Sequence, residues 1–260
     1  MTDDEYQVVV SAEEQQRAED LGDELPAALP VLPLKETVVF PESMTPLAIG
    51  QERSIRLIDD VVAGDRLLVL VTVQDEGAEP PGFGDLYEIG TAAVVHKMIR
   101  VPDGTLRVLV QGIRRVRLVR EAASDPYLVG EFVELPDEID ETKEVEALTR
   151  NVQGLFARII GLVPYLPEEL QLAATNVEDP SALCHLIAST LRLKTAEKQE
   201  LLEEASIEQR LREVSLILNR ELEVFELGTK IQSQVQAELE KGQREFFLRQ
   251  QLKTIQEELG

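Results

Sequence analysis

Apolar residues recur at helical spacing through the final stretch of the chain. Ile207, Leu211, Val214, Leu218, Leu222 and Phe225 follow one another at steps of three and four, a heptad seam with one stutter. No proline interrupts the run from Ser206 to Leu259, which is rich in Glu, Gln, Leu, Lys and Arg. The pattern predicts a single helix of roughly 80 Å at about 1.5 Å per residue, longer than a compact domain of this size needs. Between Gly228 and Gln234 only Ile231 is large and apolar, so this stretch reads as a solvated neck. Apolar positions return at Val235, Leu239 and Phe246 and form a second seam through Leu248, Leu252, Ile255 and Leu259. That seam is expected to dock on a missing module, and the stop at Gly260 is expected to be a truncation.

Upstream of the rod the period is different. Pro30 and Pro33 bracket an extended segment, and Thr37 to Phe40 and Met44 to Ile49 each predict a strand. Glu52 to Val62 has helical spacing through Ile55, Ile58 and Val62, and the apolar run Leu67 to Val73 predicts a strand buried on both faces. An acidic, Gly- and Pro-rich loop follows from Gln74 to Asp85; its Gly82-Phe83-Gly84 lacks the third glycine and the strand-to-helix setting of a nucleotide-binding loop. Ile89 to Val101 and Thr105 to Val110 predict a hairpin across Pro102-Asp103-Gly104. Ile113 to Val119 and Leu128 to Leu135 add two strands. Six or so strands with one early helix favour a closed or half-closed barrel, because closure removes exposed edges.

From Pro136 the spacing becomes helical. Asp140 to Val163, stopped by Pro164, and Pro167 to Ala174 predict two helices. Asp179-Pro180 opens a third over Ser181 to Leu193, and Thr195 is expected to cap a fourth through Glu204. The fold class is therefore α+β, a small β pseudo-barrel followed by an α-helical bundle and one very long C-terminal helix. The expected divisions are a disordered acidic leader over residues 1–28, a β-rich domain over 29–135, a bundle over 136–227 and an extension of the long helix over 228–260.

Composition sharpens this picture by exclusion. The 260 residues are 43% apolar, with no run near the roughly 18 apolar residues of a membrane span, so the protein is expected to be soluble with no membrane partner. Cys184 stands alone, which excludes an internal disulfide and fits a cytoplasmic location. The N-terminus lacks the basic start and apolar block of a signal peptide. The net charge of −23 divides into −8 for residues 1–28, −5 for 29–135, −8 for 136–205 and −2 for 206–260. So acidic a chain is a poor partner for nucleic acid. Arg107, Arg114, Arg115, Arg117 and Arg120 do cluster on the later strands; a solvated strand face with acidic cross-strand partners is favoured over an anion site.

Catalytic patterns are missing from the reading. His96 lies among strand residues, and Cys184 and His185, adjacent on a helix, point about 100° apart and do not readily share a proton. Packing roles are favoured for all three. There is no HExxH, GxSxG, CxxC or P-loop pattern, and Gly228-Thr229-Lys230 lacks the upstream glycine. No catalytic, cofactor-binding or metal-ligating residue is expected.

Three stretches carry a resemblance. They are Leu29 to Pro41 (LPVLPLKETVVFP), Pro102 to Gly112 (PDGTLRVLVQG) and Gln243 to Gly260 (QREFFLRQQLKTIQEELG), with Leu186 to Ser189 and Glu197 to Glu203 between them. Together they resemble the N-terminal region of the Lon family of ATP-dependent proteases over about residues 29–260, the last motif being the most specific. Phe246-Phe247, where tyrosines are common in the family, and Cys184-His185, where a small residue and an acid are expected, are the departures. The resemblance implies a PUA-like pseudo-barrel, and a full-length protein similar to a hexameric serine protease that uses ATP and Mg, with a Ser-Lys dyad and a Walker-type ATPase beyond Gly260. Unfolded or misfolded proteins would be its substrates.

A capture domain should display modest apolar patches or an open strand edge rather than a deep polar pocket. Met44, Pro46, Ile99 and Val101 are the candidate contact residues, although a plain core role for Met44 is the stronger of its two readings. Weak, concentration-dependent self-association through the rod is expected. A stand-alone adaptor of the same fold would not need the Gln243 to Gly260 run, a coiled-coil structural protein would not need the globular part, and an enzyme acting within these residues is the weakest alternative.

Overall fold

Leu67–Thr72 (β3) is buried at every position, and this makes it the spine of the sheet. In the computed structural model, which describes residues 25–74, 77, 79–139, 142–163, 166–167 and 169–259, β3 is flanked by Ala28–Leu34 (β1) in parallel and by Ile89–Arg100 (β4) antiparallel. The leader as far as Glu24, the helix start at Asp140, the stop at Pro164 and the terminal Gly260 lie outside the described residues. Met44–Ile49 (β2), Leu106–Ala123 (β5) and Val129–Glu134 (β6) complete the six-stranded sheet in the order β2-β5-β4-β3-β1-β6. A second pairing, β5 with β6, closes five of these strands into a barrel and leaves β2 on the outside of β5.

The inner side beneath β2 and the β4–β5 hairpin is filled by Leu47, Ile49, Val95, Leu106, Val108 and Val110, and Glu52–Ala63 (α1) covers it with Leu57, Ile58 and Val61. The turn joining β4 to β5 follows its sequence. Gly104 takes φ +90°, a value side-chained residues rarely adopt, and Asp103 Oδ1 accepts from the Thr105 backbone N–H at 2.9 Å.

Two expectations for the strands are corrected. Thr37 to Phe40 is not a strand, although Val38, Val39 and Phe40 are buried. The Thr72 hydroxyl donates to the Thr37 carbonyl at 2.8 Å and the Thr91 hydroxyl to the Val39 carbonyl at 2.6 Å, so side chains rather than a ladder satisfy this backbone. The segments Thr105 to Val110 and Ile113 to Val119 are one 18-residue strand, β5. Gly112 marks the join, since a Cβ there would lie 2.1 Å from the Phe40 carbonyl oxygen.

The helices are Lys143–Ile160 (α2), Glu169–Asn176 (α3), Pro180–Thr190 (α4), Thr195–Glu203 (α5) and Ile207–Glu258 (α6). Thr142 caps α2 by accepting from the Val145 N–H, and Asp179 caps α4 by accepting from Ser181 and Ala182. Thr195 does not cap α5, being already its first helical residue; the Glu197 carboxylate accepts from the Lys194 N–H there instead. Along α6 the seam Leu211, Val214, Leu218 and Leu222 packs against Val152, Phe156 and Ile159 of α2. Packing ends at the half-buried Phe225, and all 34 residues from Glu226 to Leu259 are exposed.

A buried ionic cluster fastens the strands to the helices. Asp137, just after β6, accepts through Oδ1 from Arg115 of β5 at 2.5 Å and from Arg210 of α6 at 2.7 Å, and through Oδ2 from the Ser181 hydroxyl of α4. Both guanidiniums are almost fully buried, with side-chain exposures of 2% and 1%. Arg115 also donates to the carbonyls of Leu202 and Glu204, and Arg210 to that of Glu204. This overturns the solvated reading for Arg115. Arg114 and Arg120 do follow it, pairing across strands with Glu134 and Glu131.

The electrostatics follow from burial. Burial alone would raise the Asp137 carboxyl, but hydrogen bonds from Arg210 and Ser181 and the charges of both arginines hold it below the usual carboxylate range. Burial pushes Arg115 down to about 10, with the neighbouring Arg210 charge adding to the effect. His185 is driven down to about 3 by burial and then by Arg210, and its ring packs 5.8 Å from that of Phe40.

Replacing Asp137 by Asn should cost about 3–5 kcal/mol in chemical unfolding, because two buried cations lose their counter-charge. Between about pH 6.5 and 3 the unfolded chain takes up a proton at His185 that the folded chain refuses, so stability falls as pH falls through that window. The slope from this group is at most about 1.4 kcal/mol per pH unit, and His185→Gln should remove it. Leu218→Ala should cost about 2–5 kcal/mol as a cavity in a packed seam, whereas Leu239→Ala on the exposed half of α6 should leave the unfolding midpoint unchanged.

Candidate functional site

Alternation along paired strands decides which side chains the barrel leaves uncovered. On β2, Leu47 and Ile49 point inward, so Met44, Pro46 and Ala48 point out. Pro46 stands opposite Leu109 of β5, which stands opposite Lys97 of β4; Ala48 stands opposite Arg107, which stands opposite Ile99. The tip of the β4–β5 hairpin and β2 therefore present one outer face. Ile99 is its most exposed apolar residue at 64%, and Met44 is exposed at 38%.

Of the four candidate contacts, Met44, Pro46 and Ile99 lie together on this face, which removes the core reading of Met44. Val101 lies past the end of β4 in the turn, half-buried, with its N–H donating to the Thr105 carbonyl at 2.9 Å. Leu109, Lys97 and Arg107 belong to the same face and escaped the sequence reading, because strand register places them there and register is not visible in one strand at a time. The β-bulge at Val95/Lys97 resets which side of β4 faces out.

Beside the face lies a cleft of about 360 Å³ between the C-terminal end of β1 and the free edge of β2, lined by Pro33, Lys35, Pro46, Ala48 and Ser54 among others. Here β2 is paired on one side only, by β5. Pro46 offers no N–H, so the edge cannot donate continuously to an added strand. Recognition through side chains suits this geometry better than strand addition. Another uncovered apolar surface runs along α6, where Leu227, Ile231, Val235, Leu239, Phe246 and Leu252 are each more than half exposed.

Ser181, His185 and Asp137 meet in the buried cluster, yet their wiring is not that of a nucleophilic triad. The Ser181 hydroxyl donates to Asp137 rather than to His185, and His185 Nε2 lies 3.3 Å from the Arg210 guanidinium. A base facing a cation cannot take the serine proton. Burial pushes the Cys184 thiol up to about 12, so no thiolate forms at neutral pH. His96 Nε2 lies 2.7 Å from the Gln111 side-chain oxygen. Among the described residues no group of His, Cys, Asp and Glu is placed to hold a metal ion, and no helix is long and apolar enough to cross a membrane.

Comparison with known proteins gives this arrangement a family. Residues 28–220 match the family model described as the ATP-dependent protease La (LON) substrate-binding domain. Lon protease of Dictyoglomus thermophilum is 41% identical over 237 residues, 91% of this chain, and Lon protease 1 of Herpetosiphon aurantiacus is 42% identical over 240 residues, also 91%. The chain spans about 30% of the length of these curated relatives. Among solved structures, the N-terminal domain of Mycobacterium avium complex Lon protease aligns with a TM-score of 0.62 at 25% identity, covering 74% of this chain and 98% of that one. The Lon N-terminal domain protein from Xanthomonas campestris shares the fold, with a TM-score of 0.52 at 22% identity over 72% of this chain and 96% of that one. A barrel with an uncovered apolar face, a bundle locked to it and a family match across both lead to one conclusion: the chain belongs to the Lon substrate-binding domain family.

Proposed function

We propose that this chain is the non-catalytic, client-capturing and assembly region of an ATP-dependent Lon serine protease. Unfolded or misfolded polypeptides would engage the outer face of the barrel through Met44, Pro46, Ile99 and the neighbouring Val101. The observation that carries this reading is that face itself, where apolar side chains stand uncovered on a rigid three-stranded surface. Unfolded chains differ from folded ones chiefly in showing apolar segments, so a shallow apolar platform discriminates between them without a fixed sequence code.

The exposed half of α6 would carry the second role. At about 1.5 Å per residue its 34 residues reach roughly 50 Å beyond the bundle, far enough to deliver a bound client towards an ATPase and protease ring and to support assembly of several copies. ATP, Mg and the serine chemistry would be supplied by modules outside this chain, in the cytoplasm of a bacterium. The bacterial Lon relatives support this reading.

Crosslinking of a reduced, carboxymethylated client should map to the face, and Ile99→Ser combined with Met44→Ser should weaken client binding by about tenfold, as expected from losing two apolar contacts. The unfolding midpoint should not move. Equal binding by the variant and the parent chain would remove the face from the capture role.

A further inference from the structure

The outer face is not purely apolar. Lys97 and Arg107 stand on it, Lys97 opposite Leu109 and Arg107 opposite Ile99, so that cations and apolar side chains alternate across neighbouring strands. None of the strand residues 44–49, 97–100 and 106–111 is Asp or Glu. Elsewhere on β4 and β5, Arg100 pairs with Asp59 of α1, Arg114 with Glu134 and Arg120 with Glu131, whereas the exposed Arg117 makes no ion pair among the described residues. Among the described residues Lys97 and Arg107 make no ion pair. The Asp103 carboxyl in the adjacent turn lies below its usual range, chiefly through hydrogen bonds from the Thr105 hydroxyl and N–H, with Arg107 adding a smaller charge effect.

In a chain of net charge −23, two cations on an exposed apolar surface, neither in an ion pair among the described residues and only Arg107 feeling a nearby carboxylate, that of Asp103, mark a local inversion of sign. A carboxylate approaching most of this protein is repelled, and one approaching this face is attracted. We infer that the face selects client segments in which apolar residues are flanked by Asp or Glu, the apolar side chains lying on Ile99, Leu109 and Pro46 and the carboxylates pairing with Lys97 and Arg107. The inference rests on the capture role proposed for this face and adds to it a preference among clients. Segments flanked by Lys or Arg would meet both cations as like charges and be disfavoured.

The test uses three fluorescent peptides with the same Leu-Phe-Leu centre, flanked by Glu, by Ser or by Lys, titrated against the whole chain by anisotropy. The Glu-flanked peptide should bind about fivefold more tightly than the Ser-flanked one, the gain expected from two solvent-exposed ion pairs. That advantage should vanish at about 0.5 M salt, where screening acts over a few ångströms. The double variant Lys97→Gln, Arg107→Gln, with its unfolding midpoint unchanged, should bind Glu- and Ser-flanked peptides alike and hold the Ser-flanked one as the parent chain does. Equal affinity of the parent chain for Glu- and Ser-flanked peptides, with Ile99→Ser still weakening both, overturns the charge preference and leaves the capture role standing. Binding indifferent to Ile99→Ser overturns both.

Discussion

A carboxylate held between two buried guanidiniums sets the geometry of this molecule. Asp137 takes one hydrogen bond from β5, one from α6 and one from α4, at the point where the chain passes from strands to helices. Desolvating two arginines is expensive, and an apolar cluster of the same volume would hold the parts together at least as strongly. What the ionic arrangement adds is direction. Arg115 donates further to the carbonyls of Leu202 and Glu204 at the end of α5 and of Pro136, and Arg210 to the Glu204 carbonyl and the Ser181 hydroxyl, so the barrel meets the bundle in one orientation. The apolar contact of Phe40 and Ile89 with the helical core then closes around it.

That orientation divides the barrel surface unequally. The inner side beneath β2 and the β4–β5 hairpin is covered by α1, while the side carrying Phe40, Ile89 and Arg115 is covered by the helices. The hairpin tip and β2 remain uncovered on their outer face. An exposed sheet with apolar side chains invites aggregation, and here the risk is limited by a short edge strand interrupted by proline and by charges among the apolar residues.

The long helix obeys a different logic. Its first turns are buried in the bundle with Leu211, Val214 and Leu218, which anchors the axis, and its remainder carries apolar side chains that nothing among the described residues covers. A helix held only at one end is a lever whose direction is fixed by the bundle, and therefore by the same ionic cluster that orients the barrel.

The sequence by itself determined the elements and their class. Heptad spacing located α6, the apolar run located β3, and Asp179-Pro180 and Pro102-Asp103-Gly104 located a helix start and a hairpin turn, because each is a local rule of backbone geometry. Three of the four candidate contact residues also fall on one face. Tertiary structure decided the rest. Whether Thr37 to Phe40 pairs as a strand depended on threonine hydroxyls from β3 and β4, which are distant in sequence. Whether Arg115 faces water or Asp137 depended on a helix that begins about ninety residues later. The adjacent Arg114 and Arg115 have the same chemistry, and only the side of β5 on which each stands sends one to a surface carboxylate and the other into the interior, a choice made by register and closure.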